Sequence, residues 1–137
     1  MSEYGRPRAS ERERTSPAPA FVTVEEVTRE LGRVADRLRV VGPRLAARAE
    51  HDGAAAAGIE RARGVLQRLA DLAADGESRP RHVVPHLAPH ALGDQALVLG
   101  HDVLRAARTV GEAGDDDRAT SLLAEAAVLL EGLRRAL

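Results

Sequence analysis

The sequence predicts an all-α protein, an antiparallel four-helix bundle behind a disordered N-terminal tail, and three observations carry the prediction. Apolar residues recur three and four apart along four successive stretches, the period of a helix with one buried face. Breaks containing Gly, Pro and Asp separate the stretches. The chain has 137 residues, 44% apolar and 30% charged, a balance that suits one packed domain better than a disordered chain.

Residues 1–21 carry Arg6, Arg8, Glu11, Arg12, Glu13 and Arg14 among Pro7, Pro17 and Pro19, with no periodicity. They read as a solvated tail, leaving 22–137 for the bundle. A secretory signal needs an apolar stretch of about 7–15 residues behind its positive start, and none is present. Nor does any run reach the ~18 apolar residues of a membrane span. The expectation is a cytoplasmic protein with no membrane partner.

The first helix opens at Thr23, whose spacing to Glu26 makes a T-x-x-E capping box. Val24, Val27, Leu31, Val34, Leu38, Val41 and Leu45 then alternate three and four apart in heptad register. Gly42-Pro43 predicts a kink in this helix more readily than its end, because the register runs on to Leu45. His51-Asp52-Gly53 closes the segment. A second helix over about 54–74 is expected to bury Ile59, Ala62, Leu66, Leu69 and Ala73, with Val65 and Leu72 widening the stripe.

Residues 75–89 hold Gly76, Pro80, Pro85 and Pro89 and read as a loop, with Pro89 suited to the first position of helix three. That helix is expected to bury Leu92, Ala96, Leu99, Val103, Ala106 and Val110 and to stop between Gly111 and Gly114. Asp115, Asp116 and Asp117 then cap a fourth helix, which is expected to bury Ala119, Leu122, Ala126, Leu129 and Leu133.

Composition removes several kinds of chemistry. All 20 basic residues are Arg; Lys, Asn and Cys are absent, and Ile59 is the one Ile. This bias is expected of a very GC-rich, actinobacterial genome, so Arg in place of Lys carries no functional information here. Without Lys there is no Schiff base and no Walker loop, and without Cys no thiolate chemistry. No Ser sits in a G-x-S-x-G elbow, no glycine-rich dinucleotide fingerprint occurs, and neither Glu-x-x-His nor His-Glu-x-x-His is present. The only aromatics, Tyr4 and Phe21, fall at or before the start of the first helix, leaving a Leu, Val and Ala core with no ring for a base or flavin to stack on. The formal charge of -1 gives no net attraction to nucleic acid. No catalytic residue and no cofactor are expected.

Four features remain as candidates. His82, His86 and His90 are four apart, but Pro85 and Pro89 interrupt the helix that would align them. His90, Asp94 and His101 share a face of helix three, making His86, His90, Asp94 and His101 the residues a metal would use. A solvated loop and an exposed His account for the same pattern.

Second, Arg81 and His86 spell R-x4-H, which resembles the catalytic motif of the HEPN ribonucleases, a family of helical bundles. The resemblance implies RNA cleavage by this pair. It covers six residues and contains Val83-Val84-Pro85, where the family has a helix.

Third, the run Val22-Thr23-Val24-Glu25-Glu26-Val27-Thr28-Arg29-Glu30-Leu31-Gly32 resembles the first helix of the excisionase-type helix-turn-helix, where Gly opens the turn. That resemblance implies DNA binding, with Arg29, Arg33 and Arg37 as the basic face. Residues 33–41 lack a Ser/Thr-led second helix, and ion pairs such as Glu25–Arg29 explain the arginines equally.

The fourth is the small-residue stripe Gly93, Gly100 and Ala107, seven apart on helix three. Helix glycine costs about 1 kcal/mol relative to Ala, so the stripe implies close approach of another helix, of the same chain or of a second one. Taken together, the leading expectation is a non-enzymatic interaction module that forms a homodimer or binds a protein partner. A DNA-binding regulator comes second, and a His/Asp metal site or enzyme third.

Overall fold

Thr23 starts the first helix as its spacing predicts: its Oγ1 accepts the Glu26 N–H at 3.1 Å, satisfying one of the first-turn donors. A computed structural model describes residues 21–137, so the expected tail lies, but for Phe21, outside the described residues. The helices are α1 (Val24–Arg48), α2 (Gly53–Gly76), α3 (Leu92–Glu112) and α4 (Asp116–Ala136), with a 3-10 turn at Pro89–Ala91 leading into α3. The described residues contain no strand. The fold is an all-α four-helix bundle.

α1 runs unbroken past Gly42-Pro43 and buries Val27, Leu31, Val34, Ala35, Leu38, Gly42 and Leu45. The expected stripe departs from this at two positions: Val24 is exposed and Val41 only half-buried. Gly42 has a purpose that its pairing with Pro43 disguises. A Cβ there would lie 2.6 Å from the Pro89 carbonyl oxygen, so glycine lets the turn before α3 rest on α1.

Asp52 ends one segment and starts the next, its carboxylate accepting the N–H groups of Ala54 at 2.9 Å and Ala55 at 3.4 Å. α2 then returns along α1, bringing Gly58 to Leu45. It buries the five expected residues together with Ala55, Ala70, Leu72 and Ala74.

α3 also runs against α1. Gly93 lies beside Ala35 and Arg39, and Gly100, further along α3, lies beside the earlier Leu31. Since α2 and α3 both oppose α1, they run parallel to each other. The antiparallel arrangement therefore holds within each hairpin, α1/α2 and α3/α4, while the central pair is parallel. The connection allows it: extended at ~3.4 Å per residue, segment 77–88 spans ~40 Å, more than the length of α3, about 32 Å at ~1.5 Å per residue.

Pro89 initiates the 3-10 turn rather than α3 itself, and Leu99, expected in the α3 seam, is only partly buried. Gly114 takes φ +94° and turns the chain, and Asp115 caps α4 by accepting the Arg118 N–H at 3.1 Å. α4 buries Leu122, Leu123, Ala126, Leu130 and Leu133, so its seam is rotated from expectation: Ala119 and Leu129 stand at its edge.

One core of Leu, Val and Ala joins all four helices. A smaller cluster of Leu45, Ala55 and Ile59 closes the end where α1 turns into α2. Each fully buried Leu or Val contributes about 1.5–3 kcal/mol by leaving water. No polar or charged residue is fully buried among those described, so the core rests on apolar packing alone. No described helix is long and apolar enough to cross a membrane.

Candidate functional site

Segment 77–88 is not a loose loop but an extended strap laid along the bundle. It leaves α2 through Ser78 at φ 55°, with the Arg79 N–H donating to the Ala74 carbonyl at 2.8 Å. This is the Schellman geometry, with Ser where glycine is usual. Arg81 then grips Asp75 bidentately, at 3.0 Å through Nε and 2.7 Å through Nη2. The Arg81 guanidinium holds the Asp75 carboxyl below its ordinary value. The tie is therefore present above the unfolded carboxyl pKa of about 3.9 and is lost as pH falls through the lowered folded value.

Gln67 of α2 is the central fastener. Its Oε1 accepts the Val84 N–H at 2.9 Å, while its Nε2 donates to the His82 carbonyl at 2.9 Å and to Asp71 at 3.0 Å. Further along, Arg63 Nη2 donates to the Leu87 carbonyl at 2.9 Å and Gln95 Nε2 to the Pro85 carbonyl at 3.0 Å. Val84 is the buried anchor. Gln67 and Gln95 are the only side-chain amides in the chain, and both hold the strap. An amide both donates and accepts, which neither Arg nor a carboxylate does, and this suits it to an isolated stretch of backbone. Gln67→Ala is expected to cost about 1–2 kcal/mol, the lower part of the range for a donor left unsatisfied. It is also expected to speed hydrogen exchange at Val84, and mass spectrometry of both proteins checks this.

The strap and α3 enclose an apolar cleft of about 430 Å³, walled by Val84, Pro85, Leu87, Ala91, Val98 and Leu99 with His82, Asp94 and Gln95 at its edge. Val98 is 61% exposed and Leu87 44%, although both are large aliphatic side chains. Val83, also on the strap, is exposed but does not line this cleft. Beneath the strap a polar cleft of about 210 Å³ is lined by Glu60, Arg63, Gln67, His86 and Gln95 among others, several of them engaged in holding the strap.

The sequence-derived candidates are dispersed. His82, His86, His90 and His101 are all exposed. Asp94 is paired with Arg39 at 3.0 Å, His86 faces the polar cleft against α2, and His101 lines a different hollow near Val24. No three or more His, Cys, Asp or Glu among the described residues are placed to hold a metal. Arg81 and His86 lie on an extended strap and not a helix. Their neighbours Asp75 and Arg63 are roughly three turns apart on α2, ~18 Å. The structure therefore does not bring the pair together.

No turn opens at Gly32. Residues 24–32 belong to the single helix α1, so the helix-turn-helix resemblance ends where its second helix should begin. The stripe Gly93, Gly100 and Ala107 is buried, and α1 of the same chain fills the space at both glycines. A Cβ on Gly93 would lie 2.7 Å from the Ala35 carbonyl oxygen, and one on Gly100 2.5 Å from Leu31. The close approach that the stripe implies is made within the chain, and the expected interface groove is already occupied.

Sequence reasoning passed over the strap's fasteners and the Leu87–Val98 surface. Val98 falls off the helical seam, and Leu87 sits in what reads as a loop. No family model matches the chain, and neither the curated proteins nor the solved structures searched contain a match.

Proposed function

We propose that this chain is a non-enzymatic interaction module that self-associates through the strap–α3 surface. The observation that carries the reading is the convergence of Leu87 and Val98, from two different elements, on one apolar cleft. Exposed aliphatic side chains grouped around a hollow, with polar residues at the rim, mark interaction surfaces. A two-fold interface requires one patch to offer both the projection and the hollow that receives it. This patch offers exposed apolar side chains, Leu87 and Val98, on the walls of an apolar cleft that a second copy's side chains can enter. The strap is fastened at several points, so the surface is formed in advance and little ordering entropy opposes binding.

Val98→Asp and Leu87→Asp are expected to weaken the dimer roughly 10- to 100-fold, because each copy would carry a charge into an apolar contact. Light scattering across a concentration series checks this, with helicity by circular dichroism unchanged because both residues are already exposed. A wild-type chain that stays monomeric at high concentration would refute self-association. A dimer insensitive to both substitutions would move the interface elsewhere.

A further inference from the structure

Resting on the self-association proposed above, we infer how the second copy is held: the two straps pair edge to edge in a short antiparallel ribbon, Val83 against Val83. The strap is built as a strand with one neighbour missing. Its grips follow α2 in order, Arg81 on Asp75, His82 and Val84 on Gln67, and Leu87 on Arg63. From Asp75 to Arg63 the helix rises about 18 Å. The strap covers that length between Arg81 and Leu87 at about 3 Å per residue, the spacing of an extended chain. Side chains alternate as in a strand, Val83 being 82% exposed and Val84 buried. Gln67 completes the pattern. Its one amide accepts the Val84 N–H and donates to the His82 carbonyl, as a residue of a parallel neighbouring strand would.

Backbone groups alternate in a strand as well. With the His82 carbonyl and the Val84 N–H turned to α2, the N–H and C=O of Val83 turn to the opposite edge. Neither has a partner among the described residues. Such an edge is a template for a further strand. Three features assign that place to a second copy. The first is symmetry: a hydrogen-bonded antiparallel pair exchanges both bonds, so Val83 opposite its own copy sits on a two-fold axis and each satisfies the other. The second is length. Pro85, the next residue on this edge, has no N–H, and its carbonyl already accepts from Gln95 at 3.0 Å. So short an edge holds only a partner that other contacts bring to it. The neighbours of Val83, His82 and Val84, both line the strap–α3 cleft, so ribbon and cleft form one continuous surface. The third is area. A stable interface buries about 1,200–2,000 Å², more than Leu87 and Val98 cover by themselves. Val83 extends the same exposed aliphatic surface, and valines facing each other across a ribbon cover one another.

Residue-resolved hydrogen exchange of the full chain, followed by NMR across a concentration series, tests the ribbon without any variant. The Val83 amide is expected to exchange freely in dilute protein and about tenfold more slowly once the dimer forms. The Val84 amide, held by Gln67 within the chain, should be protected at every concentration. Val83→Pro removes the N–H but keeps an extended backbone, and the loss of two bonds should weaken the dimer roughly 10- to 100-fold. Val83→Thr keeps both the N–H and the branched shape, so it should dimerise far better than Val83→Pro. A dimer in which Val83 exchanges as fast as in the monomer would overturn the ribbon and leave association through Leu87 and Val98 standing. So would a Val83→Pro chain of unchanged helicity that dimerises as the wild type does. Protection of Val83 at every concentration would also overturn it, by giving this edge a partner within the chain. A chain monomeric throughout would sink the ribbon and the self-association together.

Discussion

Gly93→Ala is expected to lower stability by about 2–3 kcal/mol, even though Ala favours a helix over Gly by about 1 kcal/mol. The obstruction is the Ala35 carbonyl oxygen, 2.7 Å from where the new methyl would sit. That oxygen belongs to the helical backbone and has no rotamer to adopt, so α1 and α3 must move apart. Separation would loosen the contacts of Leu31, Leu38, Leu92 and Ala96, all fully buried. Gly100→Ala meets the Leu31 side chain instead, which is just as confined. Gly64→Ala and Gly132→Ala are the controls, since nothing lies within 4 Å of either position. Both should gain up to about 1 kcal/mol from helix preference and the reduced freedom of the unfolded chain. Urea midpoints at constant slope measure all four. A Gly93→Ala protein as stable as wild type would mean that the two helices do not approach so closely.

The register of α4 supports an equally sharp comparison. Leu130→Ala is expected to cost about 2–5 kcal/mol, the range for truncating a buried Leu into a cavity that neighbours only partly fill. Leu129→Ala should cost clearly less, because Leu129 stands at the edge of the core and Leu130 is wholly enclosed. The residues are adjacent, identical in type and share a helix, so propensity cancels and burial alone separates them. Thermal melts monitored at 222 nm would show the difference. Equal losses would place the seam where periodicity alone puts it.

That pair also shows how far the sequence could be read. Periodicity located every helix, and the caps at Thr23 and Asp115 and the stop at Gly111–Gly114 were visible because each needs a particular residue type. In α4 the doublets Leu122-Leu123 and Leu129-Leu130 offer two seams with the same spacing, and only packing against α1, α2 and α3 selects between them. The glycine stripe announced a close helix contact without naming the partner helix. Gly32 shows the reverse: a helix-interior glycine with open space around it, tolerated and marking no turn. The strap was legible as a break but not as a fixed element. Its order comes from Arg63, Gln67 and Gln95, side chains scattered over two helices whose relation to segment 77–88 exists only once the bundle has formed.

The parallel central pair sets how the chain can reach its native state. Each hairpin forms from contacts close in sequence, which are quick to make. Neither can bury its apolar stripe alone, because α1 packs on α3 across the strap. Closing that connection spans a longer loop than either hairpin turn, so it costs more chain entropy than forming the hairpins. A hairpin from one chain offers another the same contacts that its own partner would, so crowded refolding favours exchange, and the strap's fasteners reward closure within a single chain.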